Sequence, residues 1–239
     1  MELFTITARD GDARAGSLRL THGDAATPVL MPVASQATVK GVLAEQLADL
    51  GFELILANSF HLLVRPGLDV IEQAGGLHRF MGWDRPILTD SGGFQLFSLA
   101  SLCKIVEEGV HFQSHVDGAV RFLSPEDAVR CQERLGSDIA MVLDEFPGYP
   151  CEKDAAERAA ARTLRWAERC LAARTRGDQA LFAILQGSVW PDLRASCAEK
   201  LAAMPFPGYA IGGLSVGEDR PTRAAVVKAL KAEGMDVAE

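Results

Sequence analysis

Short apolar runs recur along the chain, and each ends on polar or glycine residues before a stretch of helical spacing begins. The runs are PVLMPV (28–33), FELILANS (52–59), PILTDSG (86–92), DIAMVLDE (138–145), ALFAILQG (180–187) and GYAIGGL (208–214). Continuous apolar strands that alternate with helices predict a parallel sheet covered on both faces. The helices are as legible. LAEQLADLG carries leucines at helical spacing and stops at Gly51, and DAAERAAARTLRWAERCLAAR is long and amphipathic. SPEDAVRCQERLGSD opens with Ser124 as a cap and Pro125 at the first helical position.

Two segments break the pattern. FTITARDGDARAGSLRLTHG has two β-prone pieces around an Asp-Gly turn, which predicts a short antiparallel hairpin within about residues 1–27. GVHFQSHVDGAVRFLS alternates around Asp117-Gly118 and predicts a second hairpin, inserted at about 109–123. After Glu218 one more helix-like stretch follows, PTRAAVVKALKAEGMDVAE. No repeat, low-complexity segment or linker interrupts the series, so 1–239 reads as a single β/α domain.

Composition narrows the setting. A chain of 239 residues with 48% hydrophobic positions can bury one sizeable core. Its net charge of -8 argues against a surface that binds nucleic acid throughout, and leaves room for a local basic groove. The cysteines (Cys103, Cys131, Cys151, Cys170, Cys197) form no C-x-x-C or C-x-C pair, so neither a zinc cluster nor a disulfide framework is expected. Neither a leader nor an apolar run of spanning length is read, which makes a cytoplasmic location without membrane contact the expectation.

Candidate chemistry stands where the strands end, the place at which parallel α/β proteins bind their ligands. The residues there are Asn58 with Ser59, Asp90 with Ser91, Asp144 with Glu145, Gln186 with Gly187, and Gly212 with Gly213. Two acids among amide donors and exposed backbone suit a planar heterocycle that both donates and accepts. Guanine is one: N1–H and the N2 amine can donate to Asp144, O6 can accept from Gln186 or the Gly213 N–H, and Phe94 offers a stacking face. At this level a sugar or a metal-bound carboxylate fits as well. A metal-dependent barrel hydrolase using the strand-end acids and His61 is disfavoured because the sequence has no H-x-H pair.

ILTDSGGFQLFSL, NSFHLLVRPG, LGSDIAMVLDE, LFAILQG and GYAIGGLSVGE, with GVHFQSHVDG and FLSPEDA, resemble the tRNA-guanine transglycosylases (queuine tRNA-ribosyltransferases) in order and spacing, from about Gly16 to about Glu218. That resemblance implies an α/β fold, a (β/α)8 TIM barrel, of which six strands are read here. It implies exchange of guanine at the first anticodon position of tRNA with a G-U-N anticodon for a 7-deazaguanine, either 7-aminomethyl-7-deazaguanine or queuine, in queuosine modification. A homodimer is the family's usual assembly. By motif match, Asp90 is the catalytic acid/base, Ser91 holds the base, Phe94 stacks on it, and Asp144 reads its N1/N2 edge. Gln186 and the Gly213 amide face O6, the Leu214 carbonyl faces the 7-substituent, and Glu218 supports the Leu214–Ser215 peptide.

Two departures stand out. Phe146 occupies the position where the family usually has cysteine, near the 7-substituent. The family's eighth-strand nucleophilic aspartate, the arginine-rich stretch after it and the zinc ligands C-x-C-x-x-C with a later histidine find no match. The chain is therefore expected to be C-terminally incomplete relative to the family and to hold no zinc or other cofactor. Its expected role is the transglycosylase or, alternatively, a catalytically incomplete base-binding or partner subunit.

Overall fold

The structure is a computed structural model that describes residues 2–99 and 103–232. At the N-terminus β1 (Phe4–Asp10), β2 (Ala13–Leu20) and β3 (Gly23–Thr27) form an antiparallel sheet in that order. The third strand extends the predicted hairpin. Its sequence, GDAAT, buries only Ala25, too small an apolar signal to stand out along the chain.

The main sheet begins with β4 (Val33–Ala34) and, after α1 (Ala44–Asp49), continues with β5 (Ile55–Ala57). Helices α2 (Ser59–Val64), α3 (Leu68–Gln73) and α4 (Leu77–Met81) lead to β6 (Ile87–Thr89), which α5 (Gly93–Leu99) follows. An insert comes next, β7 (Cys103–Val106), β8 (Gly109–Gln113) and β9 (Val120–Leu123), antiparallel and paired in that order. The predicted hairpin at 109–123 is thus the second half of a three-stranded sheet. The chain then runs through α6 (Pro125–Leu135), β10 (Ile139–Met141), α7 (Lys153–Ala173), β11 (Ala180–Leu185), α8 (Pro191–Ala202), β12 (Tyr209–Ile211) and α9 (Arg220–Ala232). Residues 233–239 of the last predicted helical stretch lie outside the described residues.

The main sheet is parallel, in the order β4-β5-β6-β10-β11-β12, so every strand lies beside its predecessor in the chain once the insert is set aside. Its strands are shorter than the apolar runs that signal them. PVLMPV yields only Val33–Ala34, because Pro28 and Pro32 have no N–H to give to a ladder. All three residues of β6 and of β10 are buried, as expected of strands covered on both faces.

Helix α6 shows how local sequence sets a boundary. The Ser124 hydroxyl accepts the Asp127 N–H at 3.1 Å, the Asp127 carboxylate accepts the Ser124 N–H at 3.1 Å, and Gly136 ends the helix in the left-handed conformation. On the helix's inner side, fully buried Gln132 accepts the Thr89 hydroxyl (2.9 Å) and the Met141 N–H (2.8 Å), and donates to the Met141 carbonyl (2.8 Å). A single amide thereby ties α6 to the two central strands, and with them the two strand ends that carry Asp90 and Asp144.

Candidate active site

Asp90 follows β6 directly, Asp144 stands three residues beyond β10, Gln186 follows β11, and Gly212 and Gly213 follow β12. All belong to the carboxyl ends of the strands. A cavity of about 670 Å³ lies elsewhere, beside the amino ends of β11 and β12 and lined by Arg19, Arg174, Asp178 and Phe206.

Asp90 sits in a ring of donors. Its carboxylate accepts from the Asn58 amide (2.5 Å), the Ser59 N–H (2.9 Å) and the Gln95 amide (2.7 Å). Burial pushes its carboxyl above the ordinary value, against the pull of those donors and of the Gly92 N–H. A carboxyl raised by burial can both hold and release a proton closer to neutral pH.

Asp144 accepts the Ser91 hydroxyl at 2.7 Å on one oxygen and the Gln186 amide N–H at 2.6 Å on the other. Ser91 is fixed in turn by the Gly93 N–H, which donates to its hydroxyl at 3.1 Å. Burial again raises the carboxyl, and the nearby charge of Asp90 pushes in the same direction. The approach is close enough to require glycine at 93, where a Cβ would lie 2.7 Å from an Asp144 carboxylate oxygen.

Gln186 is 1% exposed, and its carbonyl oxygen has no hydrogen-bond partner, so a buried acceptor is left open in the site. Gly213 faces it with a φ of +65°, and a Cβ there would lie 2.7 Å from that oxygen. The Gly212–Gly213 turn is held from behind by Arg194, which is 0% exposed. Its guanidinium donates to the carbonyls of Ser188 (2.5 Å) and Gly212 (2.8 Å), and burial lowers its pKa to about 10. Glu218 holds the next turn: its carboxylate accepts the N–H groups of Ser215 (2.5 Å) and Val216 (2.9 Å). Burial raises that carboxyl, but the two backbone donors outweigh it and leave the group below its ordinary value. Leu214, between the two turns, packs its side chain against the core.

Phe94 stands at the rim, 51% exposed, with its ring centroid 5.7 Å from that of Phe146. His61 is half-buried and edge-on to His115 at 6.0 Å. Burial lowers its pKa, as does the charge of His115, while Asp90 acts in the opposite sense. Thus Asp90, Ser91, Asp144, Gln186 and Gly213 converge, with Phe94, Leu214 and Glu218 around them. Sequence reasoning missed the roles of Gln95 and Arg194. Gln95 lies five residues past Asp90, off the three- and four-residue spacing of a helix, and nothing in the spacing of Arg194 marks it either.

The described cysteines do not fit a structural zinc, since they are scattered and burial pushes both Cys131 and Cys170 up to about 12, far from thiolate. His22, His78 and Asp138 gather their donor atoms within 4.8 Å, at the amino ends of β6 and β10. However, the two imidazoles are stacked 3.6 Å apart with planes 19° from parallel. An ion bound to both rings at about 2.1 Å would sit up to half of that 3.6 Å separation, about 1.8 Å, outside each ring plane. The arrangement suits two hydrogen bonds instead, His22 Nδ1 to one carboxylate oxygen (2.9 Å) and His78 Nε2 to the other (3.0 Å).

A parallel α/β protein with two donor-ringed carboxylates, a buried amide and an aromatic rim at its strand ends belongs to the class that binds planar polar ligands there. The family model described as queuine tRNA-ribosyltransferase matches residues 10–235, and the chain belongs to that family. Its relatives of that name include a Moorella thermoacetica protein, 53% identical over 95% of this chain and 62% of its own length. A Gloeobacter violaceus relative is 54% identical over 94% of this chain and 60% of its own length, and one from Desulforamulus reducens is 56% identical over 87% and 56%. The chain thus spans about three-fifths of the length of the curated relatives it matches. No helix among the described residues is long and apolar enough to cross a membrane.

Proposed function

We propose that the chain carries the base-recognition half of a tRNA-guanine transglycosylase, which exchanges guanine at the first position of a G-U-N anticodon for a 7-deazaguanine. The observation that carries this reading is the Asp90–Ser91–Asp144–Gln186 constellation: two carboxylates, one ringed by donors and the other accepting from the Ser91 hydroxyl and a buried amide. Asp144 receives N1–H and the N2 amine of the base, and the Gly213 N–H and the Gln186 amide face its O6 edge. Phe94 supplies the stacking face. Asp90 takes and returns the proton as one base leaves and the next arrives. Leu214 and Glu218 shape the far wall, with Glu218 fixing the Leu214–Ser215 peptide through the Ser215 N–H.

The framework we propose is the (β/α)8 barrel, with 1–239 contributing one continuous domain to it. Strands laid in chain order with right-handed crossovers place every helix on one face, and the other face is then buried by closing the sheet on itself. Cytoplasmic location, tRNA as partner and a homodimer complete the proposal, all carried over from the family.

Calorimetry with guanine tests the reading. Saturable binding that 7-aminomethyl-7-deazaguanine competes for and adenine does not is the expected result, since adenine has no N1–H to offer Asp144. Equal binding of adenine would overturn it. Asp144→Ala is expected to weaken guanine binding by about 1–3 kcal/mol, roughly 5- to 150-fold, because two base donors lose their acceptor. Acid should act the same way. Asp144 binds these donors as a carboxylate and its pKa is raised, so guanine affinity should fall with a midpoint above pH 3.8 in a calorimetric pH series.

A further inference from the structure

We propose that Phe146 is a positioning residue that holds the Phe94 ring in place as a preformed stacking platform, an inference that rests on the base-binding reading above. Phe94 is 51% exposed, which for a phenylalanine at the mouth of a polar site is an unfavourable resting place unless something restrains it there. Phe146 is its buried counterpart at 7% exposure, with ring centroids 5.7 Å apart and planes tilted by 50°, within the range in which aromatic pairs attract.

The backbone explains how the two rings meet. Gly93 lets the first turn of α5 press directly onto Asp144, since a Cβ there would lie 2.8 Å from the Asp144 carbonyl oxygen. Phe94 and Phe146 extend from that point of contact, one residue past Gly93 and two past Asp144. The residue that reads the base edge and the residue that braces its stacking ring thus share one short segment. A ring already ordered before binding loses less freedom when the base arrives. Phe146 need not touch the base; it acts through Phe94.

A double-mutant cycle on guanine affinity tests this. Phe146→Ala should weaken guanine binding by about tenfold, leave the pH midpoint of binding unchanged and, in a Phe94→Ala background, weaken it no further. Phe146→Tyr, which keeps the ring, should restore wild-type affinity. Thermal melts identify any variant that has lost its fold, and Phe146→Leu serves as the volume-keeping replacement. Equal losses with and without Phe94, or unchanged affinity in a folded Phe146→Ala, would overturn the proposal.

A second measurement does not depend on the base. 4-Fluorophenylalanine at position 94, read by fluorine NMR, should show a narrowed and shifted resonance when Phe146 becomes alanine. An unchanged resonance would refute the brace even if guanine binds. Absence of guanine binding by the parent chain, with the resonance altered as expected, would refute the base-binding reading while leaving the brace intact.

Discussion

Asp90→Asn is expected to lower base exchange by about 10²–10⁴-fold, the usual contribution of a positioned acid/base, in a preparation that incorporates labelled guanine into tRNA. Guanine binding should not weaken. The asparagine oxygen can replace the one Asp90 oxygen that accepts from both the Asn58 and Gln95 amides, which keeps those two contacts and gives up the bond from the Ser59 N–H on the other oxygen. Removing the Asp90 charge also removes one of the influences that push Asp144 upward, which favours the ionised, base-binding form. Asp144→Ala reverses the pattern by losing binding first. Equal loss of binding in the two variants would sink this division of labour.

The second large effect lies at the opposite ends of the strands. Asp138 is fully buried in its side chain and accepts the N–H groups of His22 and Ile87, both at 2.9 Å, besides the two imidazoles. Asp138→Ala is expected to cost about 3 kcal/mol or more, counting only the Ile87 and His78 bonds at roughly 1.5 kcal/mol each for a charged acceptor. For a chain of this size that is roughly 6–12 °C in melting temperature. The folded pKa of Asp138 is lowered: burial raises it, but the bonds from His78, Ile87 and His22 prevail. Its contribution is therefore present above the unfolded value of 3.8 and is lost as pH falls through the lower folded value. Melts in a descending pH series should separate wild type from the variant at pH 7, with a difference that holds down to 3.8 and narrows only as pH falls further, through the lowered folded value. A variant that melts with the wild type at pH 7 would contradict the assignment.

The strand-end residues were legible because each interrupts an apolar run with a group that a buried strand would not tolerate unpaired. Asp90 after PILT and Gln186 after ALFAIL are of this kind. What could not be read was any partnership made across the fold. Asp138 looks like an ordinary strand-initiating acid in LGSDIAM, yet its partners lie 60 and 116 residues away, in α4 and in the β2–β3 turn. Arg194 was equally silent: a surface-type residue in PDLRASC that becomes the buried support of the Gly212–Gly213 turn. Phe146 was visible as a departure from the family, but only its burial against Phe94 reveals a brace rather than an intrusion.

The chain-ordered sheet also bears on how the protein is made. Each parallel strand finds its partner already laid down, so pairing can keep pace with synthesis, and the β7–β9 insert can zip up within itself without delaying β10. His22 is the exception. It must wait for a carboxylate synthesised 116 residues later, whereas β3 of the same sheet is tied earlier, by the Ala26 N–H on Glu53 (2.6 Å), so the β2–β3 turn closes only after the fourth parallel strand has begun. A nascent chain halted before Asp138 should therefore leave the β2–β3 turn open to protease, and one halted beyond β10 should protect it.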